Sequence, residues 1–275
     1  MSDPTQRQQG IIGFFDILGY SSFLENNEPE DAAKTVLATL LDLQKQVIEL
    51  HKEQFPAPNG CVVTRTMDEI KCLVFSDTIL LALPSPHNLK DEFRTFHWIL
   101  FLNHSILLYR HLFCSGLPIR GTITYGDFLI KETCFAGRPI IDAYRLTQRL
   151  DLAAVVISDE AKSQMSKIDD PKLKEALQVL SLEYLVPLND GDVVRLNTLQ
   201  PCTPQMKFSL KSIDIRQQVV ECFWAHRKDI APATLNKLNN TETFLRFVRM
   251  RFSGLFDGRD AKQQPTPGKK GRTKK

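Results

Sequence analysis

The run Ile11-Ile12-Gly13-Phe14-Phe15-Asp16-Ile17-Leu18 is apolar throughout except for one aspartate. A run without alternation predicts a central strand buried on both faces. Gly19-Tyr20-Ser21-Ser22 ends it. From Pro29 to Glu53 the apolar positions Ala32, Val36, Leu40, Leu43, Val47 and Leu50 repeat at helical spacing, and Pro56-Ala57-Pro58-Asn59-Gly60 breaks the pattern. Met67 to Phe75 and Thr78 to Leu83 read as strands joined at Ser76-Asp77, a tight hairpin. Leu89 to Phe113 predicts a long helix stopped by Ser115-Gly116-Leu117-Pro118. Ile119 to Phe128 and Leu129 to Phe135 predict two more strands. Gly137 opens a helix over Pro139 to Leu150, with Pro139 suited to a first turn. Val155 to Ile157 is a short strand, and Asn189-Asp190-Gly191 joins a last hairpin. Ser212 to Phe252 is helical and amphipathic, suited to packing on the body, on a second subunit or on a regulator.

This order predicts an α+β fold, a mixed and mainly antiparallel sheet with helices packed on it. It is compatible with a ferredoxin-like β-α-β-β-α-β core. Three regions follow: a body over 8–199, a helical extension over 206–256 and a basic disordered tail over 257–275.

With 275 residues, 43% hydrophobic and 24% charged, the chain has an ordinary globular composition. Its net charge of +3 comes largely from the tail Lys269-Lys270-Gly271-Arg272-Thr273-Lys274-Lys275, so no nucleic-acid-binding face is expected. Six scattered cysteines without a C-x-x-C pair predict buried thiols in a reducing compartment. The start Met1-Ser2-Asp3-Pro4 is polar and shows no secretory signal. Phe93 to Phe113 is interrupted by His97, Asn103, His104, Arg110 and His111, which a bilayer would not accept. A cytoplasmic protein without a membrane span is expected.

Asp16 and Asp77 are the candidate chemistry. One lies inside an apolar strand and the other at a hairpin tip between Phe75 and Ile79. A carboxylate beside a core is costly unless paired or bound to a cation. If adjacent strands bring the two together, a hard divalent ion such as Mg²⁺ or Mn²⁺ relieves their repulsion and bridges phosphates. The alternative is a carboxylate that caps a turn or pairs with an arginine. His97, His104 and His111 recur every seven residues, a spacing that suits packing or polar contacts better than shared metal ligation.

Phe14-Phe15-Asp16-Ile17-Leu18-Gly19-Tyr20 resembles the first-strand motif of the class III nucleotide cyclases, the superfamily of adenylate and guanylate cyclases. Phe75-Ser76-Asp77-Thr78 resembles their second metal-binding turn. Leu117 to Gly126 resembles the following strand, and Phe135 to Leu146 the glycine-opened helix that carries the family's arginine. The resemblance spans residues 8–199. It implies the class III cyclase domain fold and a homodimer with composite active sites. It also implies two Mn²⁺ or Mg²⁺ ions held by Asp16, Asp77 and the backbone carbonyl of Ile17. The same resemblance makes Arg145 the residue that stabilises the pentavalent phosphorus from the other subunit. Phe14 and the turn Leu18-Gly19-Tyr20 would bind substrate, the turn's N–H groups cradling phosphates. Arg120 and Arg138 are weaker phosphate candidates, better suited to structural ion pairs. Tyr144 suits core packing better than a partner's site.

At the family's base-reading positions the chain carries Leu73, Cys134 and Ile141, so the adenine-reading pair is missing. A buried site without the matching donors discriminates strongly. Within the superfamily the motifs look like those of the bacterial pyrimidine cyclases of Pycsar-type anti-phage defence. That likeness implies a lyase that makes cyclic UMP from UTP or, as second choice, cyclic CMP from CTP. It implies too that the protein meets an effector only through this product. The alternatives are a non-catalytic nucleotide-binding module of the same fold and a purine cyclase. A diguanylate-cyclase relative is disfavoured, because the hairpin lacks a G-G-[DE]-[DE]-F pattern.

Overall fold

The computed structural model describes residues 7–35, 38, 66, 68–131, 134–201, 214–229 and 232–257. Its strands are β1 (Gln8–Ile17), β2 (Lys71–Phe75), β3 (Thr78–Pro84), β4 (Ile119–Lys131), β5 (Cys134–Ala136), β6 (Val155–Ile157), β7 (Ser181–Pro187) and β8 (Val193–Leu199). The helices are α1 (Tyr20–Glu25), α2 (Asp91–Cys114), α3 (Arg138–Arg149), α4 (Asp159–Ser166), α5 (Pro171–Leu180), α6 (Ile215–Trp224) and α7 (Pro232–Asp257).

The sheet order is β2-β3-β1-β4-β6-β8-β7, with β5 paired to the far end of β4. β1 lies antiparallel between β3 and β4, and β4 is parallel to β6. The first four strands therefore stand in the order 2-3-1-4, each antiparallel to its neighbour. That arrangement is the ferredoxin-like core. The parallel β4–β6 pair needs a crossover, and α3 supplies it.

β1 is buried on both faces, as its unbroken apolar run predicts. Ile11, Phe15 and Ile17 enter the large core with Trp98, Phe101 and Leu108 of α2. Ile12 and Phe14 face the other way, into a small core with Leu80, Ala82, Phe128 and Ala143 of α3. Side chains alternate across a strand, so Asp16 falls on the same side as Phe14. α6 and α7 share the large core with the body through Ile215, Val219, Phe223, Leu238, Phe244 and Val248. Of the three packings open to the extension, the structure takes the first.

Several elements differ from expectation. The β2–β3 hairpin is there, but β2 starts at Lys71 because residues 68 and 69 are helical. The expected strands over 119–135 form one long strand and a three-residue partner, since β4 runs on to Lys131. α4 and α5 stand where no helix was expected. Ser158 caps α4 by accepting from the Ala161 N–H, and Asp170 caps α5 at the Lys172 N–H. Among its described residues the helical extension is two helices, with a 3₁₀ turn at Ala225–Arg227 after the first. Of the helix expected over Pro29 to Glu53, residues 29–35 are helical and most of the rest lies outside the described residues. The basic tail lies outside them too. Cys222 is buried, whereas Cys72, Cys114 and Cys134 are exposed, contrary to the expectation of buried thiols. Cys61 and Cys202 lie outside the described residues. Among the described residues no helix is long and apolar enough to cross a membrane.

Candidate active site

Asp16 and Asp77 meet at one end of the sheet. The β1–β3 register pairs Asp16 with Thr78, the residue after Asp77. The Ile17 N–H donates to the Asp77 carbonyl at 2.9 Å, which pins the hairpin tip beside the end of β1. The tip itself is strained: Ser76 has φ 55°, a left-handed conformation unusual for a residue with a Cβ. Asp16 is buried and Asp77 half-buried.

Asp16 already has a cationic partner. Arg120 is its register neighbour on β4 and donates Nε–H to Asp16 Oδ2 at 2.8 Å. The rest of the guanidinium is spent on the end of α3. Nη1 donates to the carbonyls of Gln148 (3.0 Å) and Leu150 (3.2 Å), and Nη2 to Gln148 Oε1 at 2.6 Å. Arg120 is 8% exposed and Asp16 7%. Arg120 is thus the ion-pair partner expected of it, and the carboxylate it serves is the candidate metal ligand. Burial pushes the Asp16 carboxyl above its ordinary value, Arg120 pulls it back, and the charge of Asp77 adds a smaller upward push. The charge of Asp77 therefore reaches Asp16 across the gap. Tyr20 senses the same charge: burial and then Asp77 raise its hydroxyl above the usual range.

The turn after β1 is only partly available to a ligand. Ile17 N–H is taken by Asp77, and Leu18 N–H donates to the Pro118 carbonyl at 2.8 Å. This corrects the expectation that Leu18 helps cradle phosphates by its N–H. Gly19 has φ 76°, the left-handed bend that turns the chain into α1. The first-turn N–H groups of Tyr20, Ser21 and Ser22 have no acceptor within the helix.

Arg145 does not reach Asp16 or Asp77 of its own chain. It stands on the outer face of α3 with its side chain 74% exposed and an ion pair to Asp142 at 3.9 Å. Arg138 also pairs with Asp142, at 3.5 Å. Tyr144 is exposed and sets its ring edge-on to Phe14 at 5.5 Å, so the expected core packing does not describe it. Of the base-position residues, Leu73 and Ile141 lie on the Asp16 side of the sheet, and Cys134 stands opposite Lys131 in the β4–β5 pair. Leu73 packs on the small core, Ile141 is exposed on α3, and Cys134 is exposed on β5. Phe75, 76% exposed, stands on the Asp16 side as well, since it pairs with Thr78, which pairs with Asp16. His97 is buried with Nδ1 unpartnered, which fits packing more than polar contact.

The acidic pair stands at the C-terminal end of β1. A cavity of about 680 Å³ opens at the opposite end, between Arg7, Tyr125, Asp127, Arg138, Pro139 and Glu160. Among the described residues no three His, Cys, Asp or Glu side chains converge as a metal cage. The pair Asp16 and Asp77 suits Mg²⁺-type binding, which uses one or two carboxylates and completes its shell with substrate phosphates and water.

The architecture is therefore that of an α+β protein with a ferredoxin-like core and an acidic pair at the end of its central strand. Solved structures with which the chain aligns include the adenylyl cyclase CyaB from P. aeruginosa, at 16% identity, over 74% of this chain and 98% of that one, with a TM-score of 0.48. A catalytic core of a rhodopsin-guanylyl cyclase with converted specificity, in complex with ATPalphaS, aligns at 11% identity over 71% and 98%, with a TM-score of 0.47. The monomeric guanylyl cyclase domain of RhoGC from the aquatic fungus Blastocladiella emersonii aligns at 12% identity over 71% and 96%, with a TM-score of 0.45. No protein-family model matches the chain, and no curated protein does.

Proposed function

We propose that this protein is a nucleotide cyclase that converts a pyrimidine nucleoside triphosphate, UTP first and CTP second, to its 3′,5′-cyclic monophosphate and pyrophosphate. The observation that carries the reading is the juxtaposition of Asp16 and Asp77, two carboxylates near enough for one charge to act on the other. The motifs around Asp16, Asp77 and Arg145 support it, since all three residue types stand where the cyclase resemblance requires them. Asp16, Asp77 and the Ile17 carbonyl would hold Mn²⁺ or Mg²⁺. Such ions supply charge neutralisation on the triphosphate and a more acidic 3′-hydroxyl. Phe14, Gly19 and Tyr20 would line the triphosphate, and Tyr20 would orient it. Arg145, exposed on α3, would serve the site of a second copy and stabilise the charge that gathers at phosphorus.

A homodimer is part of this reading. Phe75, Ile141 and Tyr144 expose apolar surface on the side of the sheet that bears Asp16. Leu73, Cys134 and Ile141 would face the base with no adenine-reading lysine or aspartate among them. The body over 8–199 would hold the site in a cytoplasmic enzyme, and the cyclic nucleotide would act as a second messenger on an anti-phage effector.

The test is incubation of purified protein with ATP, GTP, CTP and UTP in turn, with Mn²⁺, and product identification by mass. Cyclic UMP or cyclic CMP is expected. Cyclic AMP as the main product overturns the pyrimidine assignment, and no cyclic product from any of the four overturns the cyclase. One observation favours a second reading, a non-catalytic nucleotide-binding module: Arg120 already neutralises Asp16. Nucleotide binding without turnover would establish that reading.

A further inference from the structure

The strap Ala225–Asp229, which follows α6, is laid against α1 and the turn that leads from β1 into it. Four residues of the strap tie it there. Lys228 is buried, and its Nζ donates to the carbonyls of Gly116 (2.6 Å) and Cys222 (3.1 Å). These carbonyls lie at the C-terminal ends of α2 and α6, where a cation is favoured. His226 Nε2 is 2.7 Å from the Ser115 carbonyl, and its ring stands edge-on to Phe23 of α1 at 5.3 Å. Asn27 Nδ2 donates to the His226 carbonyl (2.6 Å), and Asn26 Nδ2 to the Arg227 carbonyl (3.0 Å) and Asp229 Oδ2 (2.9 Å). The Asp229 N–H donates back to Ser22 Oγ at 2.7 Å.

Two glycines show how close the fit is. A Cβ on Gly19 would lie 3.2 Å from Lys228 Cδ, and a Cβ on Gly116 would lie 2.2 Å from Ala225 Cβ. The strap is itself strained, with φ 58° at His226 and 56° at Arg227, neither a glycine. Such a conformation persists only where its surroundings over-determine it. The body residues it grips are two linked pieces. Gly19 to Asn27 follows the end of β1 directly. Ser115 and Gly116 lead into Pro118, whose carbonyl holds the Leu18 N–H.

We propose that the strap is a positioning device for the turn Leu18–Tyr20, so that the C-terminal extension is part of the catalytic apparatus and Lys228, His226, Asn26 and Asn27 are positioning residues. This rests on the cyclase reading given above. None of the four touches Asp16 or Asp77; they act by fixing where the turn and α1 stand relative to that pair.

The test uses the full chain with the double substitution Asn26→Ala and Asn27→Ala, which removes the three amide bonds from Asn26 and Asn27 to the strap, keeps the Asp229 N–H bond to Ser22 Oγ, and leaves the large core intact. Hydrogen exchange of amides 18–25 and steady-state cyclisation of UTP with Mn²⁺ are measured together. Faster exchange at 18–25, unchanged exchange in β4 and β6, and a kcat lower by about ten-fold or more are expected, since small misplacements of binding groups are catalytically expensive. Asn26→Gln with Asn27→Gln, which retains the amides, should restore part of the loss. Faster exchange with wild-type kcat and KM overturns the proposal and leaves the cyclase standing. If the wild type makes no cyclic product from any nucleoside triphosphate, the cyclase reading fails instead. The strap's grip is then read from exchange alone, which unchanged protection at 18–25 overturns.

Discussion

Replacing Arg120 by methionine tests the account of Asp16 most directly. The substitution keeps most of the buried volume and removes four hydrogen bonds: Nε to Asp16, Nη1 to the carbonyls of Gln148 and Leu150, and Nη2 to Gln148 Oε1. Asp16 is left buried beside Asp77 without its counter-ion. Truncating one partner of a buried pair costs about 3–5 kcal/mol, because the other charge stays behind unpaired. At about 2–4 °C per kcal/mol for a chain of this size, the thermal midpoint at pH 7 should fall by about 10 °C. The sign with pH follows from linkage. Asp16 has a folded pKa raised above its ordinary 3.8, so its charge opposes folding. The penalty is absent below the unfolded value and grows as pH rises through the folded one. Without Arg120 the folded value climbs further, so wild type and variant should differ least near pH 4 and most at neutral pH. Mn²⁺ offers Asp16 a replacement cation, and a ligand at a hundred times its Kd stabilises by about 2.7 kcal/mol. The assay is differential scanning calorimetry at pH 4, 5.5 and 7, with and without Mn²⁺. Mn²⁺ should raise the variant's midpoint by more than the wild type's. Equal shifts in both proteins would refute a metal on Asp16, and a pH-independent gap would refute the orphaned-charge explanation.

Asp77→Ala should abolish Mn²⁺-dependent cyclisation while the thermal midpoint holds or rises, because Asp77 is half-buried and its charge acts against that of Asp16; turnover and calorimetry on one preparation decide it. Mixing Asp77→Ala chains with Arg145→Ala chains should restore part of the activity lost in each, since one composite site is then whole; no recovery in verified heterodimers would place Arg145 outside the site. Lys228 carries a pKa lowered to about 8 by burial, against an ordinary 10.5, so the folded state binds fewer protons than the unfolded one between those values. Its burial as a cation costs about 3 kcal/mol below pH 8, a cost relieved as pH rises toward 10. Wild-type stability relative to Lys228→Met should therefore improve over that window, read from urea unfolding at pH 7.5 and 9.5.

The core of the fold was legible because its elements carry strong local signals. The unbroken apolar run of β1 fixes a central strand, and Ser76-Asp77 between two apolar runs fixes the hairpin. Gly137 with Pro139 fixes the start of α3. α4 and α5 had signals as well, in Ser158 before Asp159-Glu160 and Asp170 before Pro171, each a cap residue at a helix start. Their short lengths hid them among loops, although α5 carries an apolar stripe at Leu173, Ala176, Leu177 and Leu180. The break at Ala225–Arg227 carries neither glycine nor proline, and its left-handed backbone is imposed by Gly116, Asn26 and Asn27, far away in sequence.

The site was legible in its acids and illegible in its cation. Asp16 can be flagged because it stands where an apolar residue is expected, a purely local anomaly, and Asp77 because it sits at a hairpin tip between two apolar strands. Arg120 shows the same anomaly, between Ile119 and Gly121 in a strand that proves fully buried there. What sequence spacing does not reveal is the β1–β4 register that sets Arg120 opposite Asp16, since pairing between strands more than a hundred residues apart is decided by the packing of the whole sheet. That register changes the chemistry of the pair. A bare Asp16–Asp77 couple would demand a metal to fold, whereas Asp16 held by Arg120 can fold first and yield an oxygen to a metal when a triphosphate brings one. The arginine so released would keep its bonds to Gln148 and Leu150 at the end of α3, the helix that also carries Arg145. On the proposed composite site, metal occupancy at one end of the sheet would thereby reach α3, the helix whose Arg145 is proposed to serve a second copy.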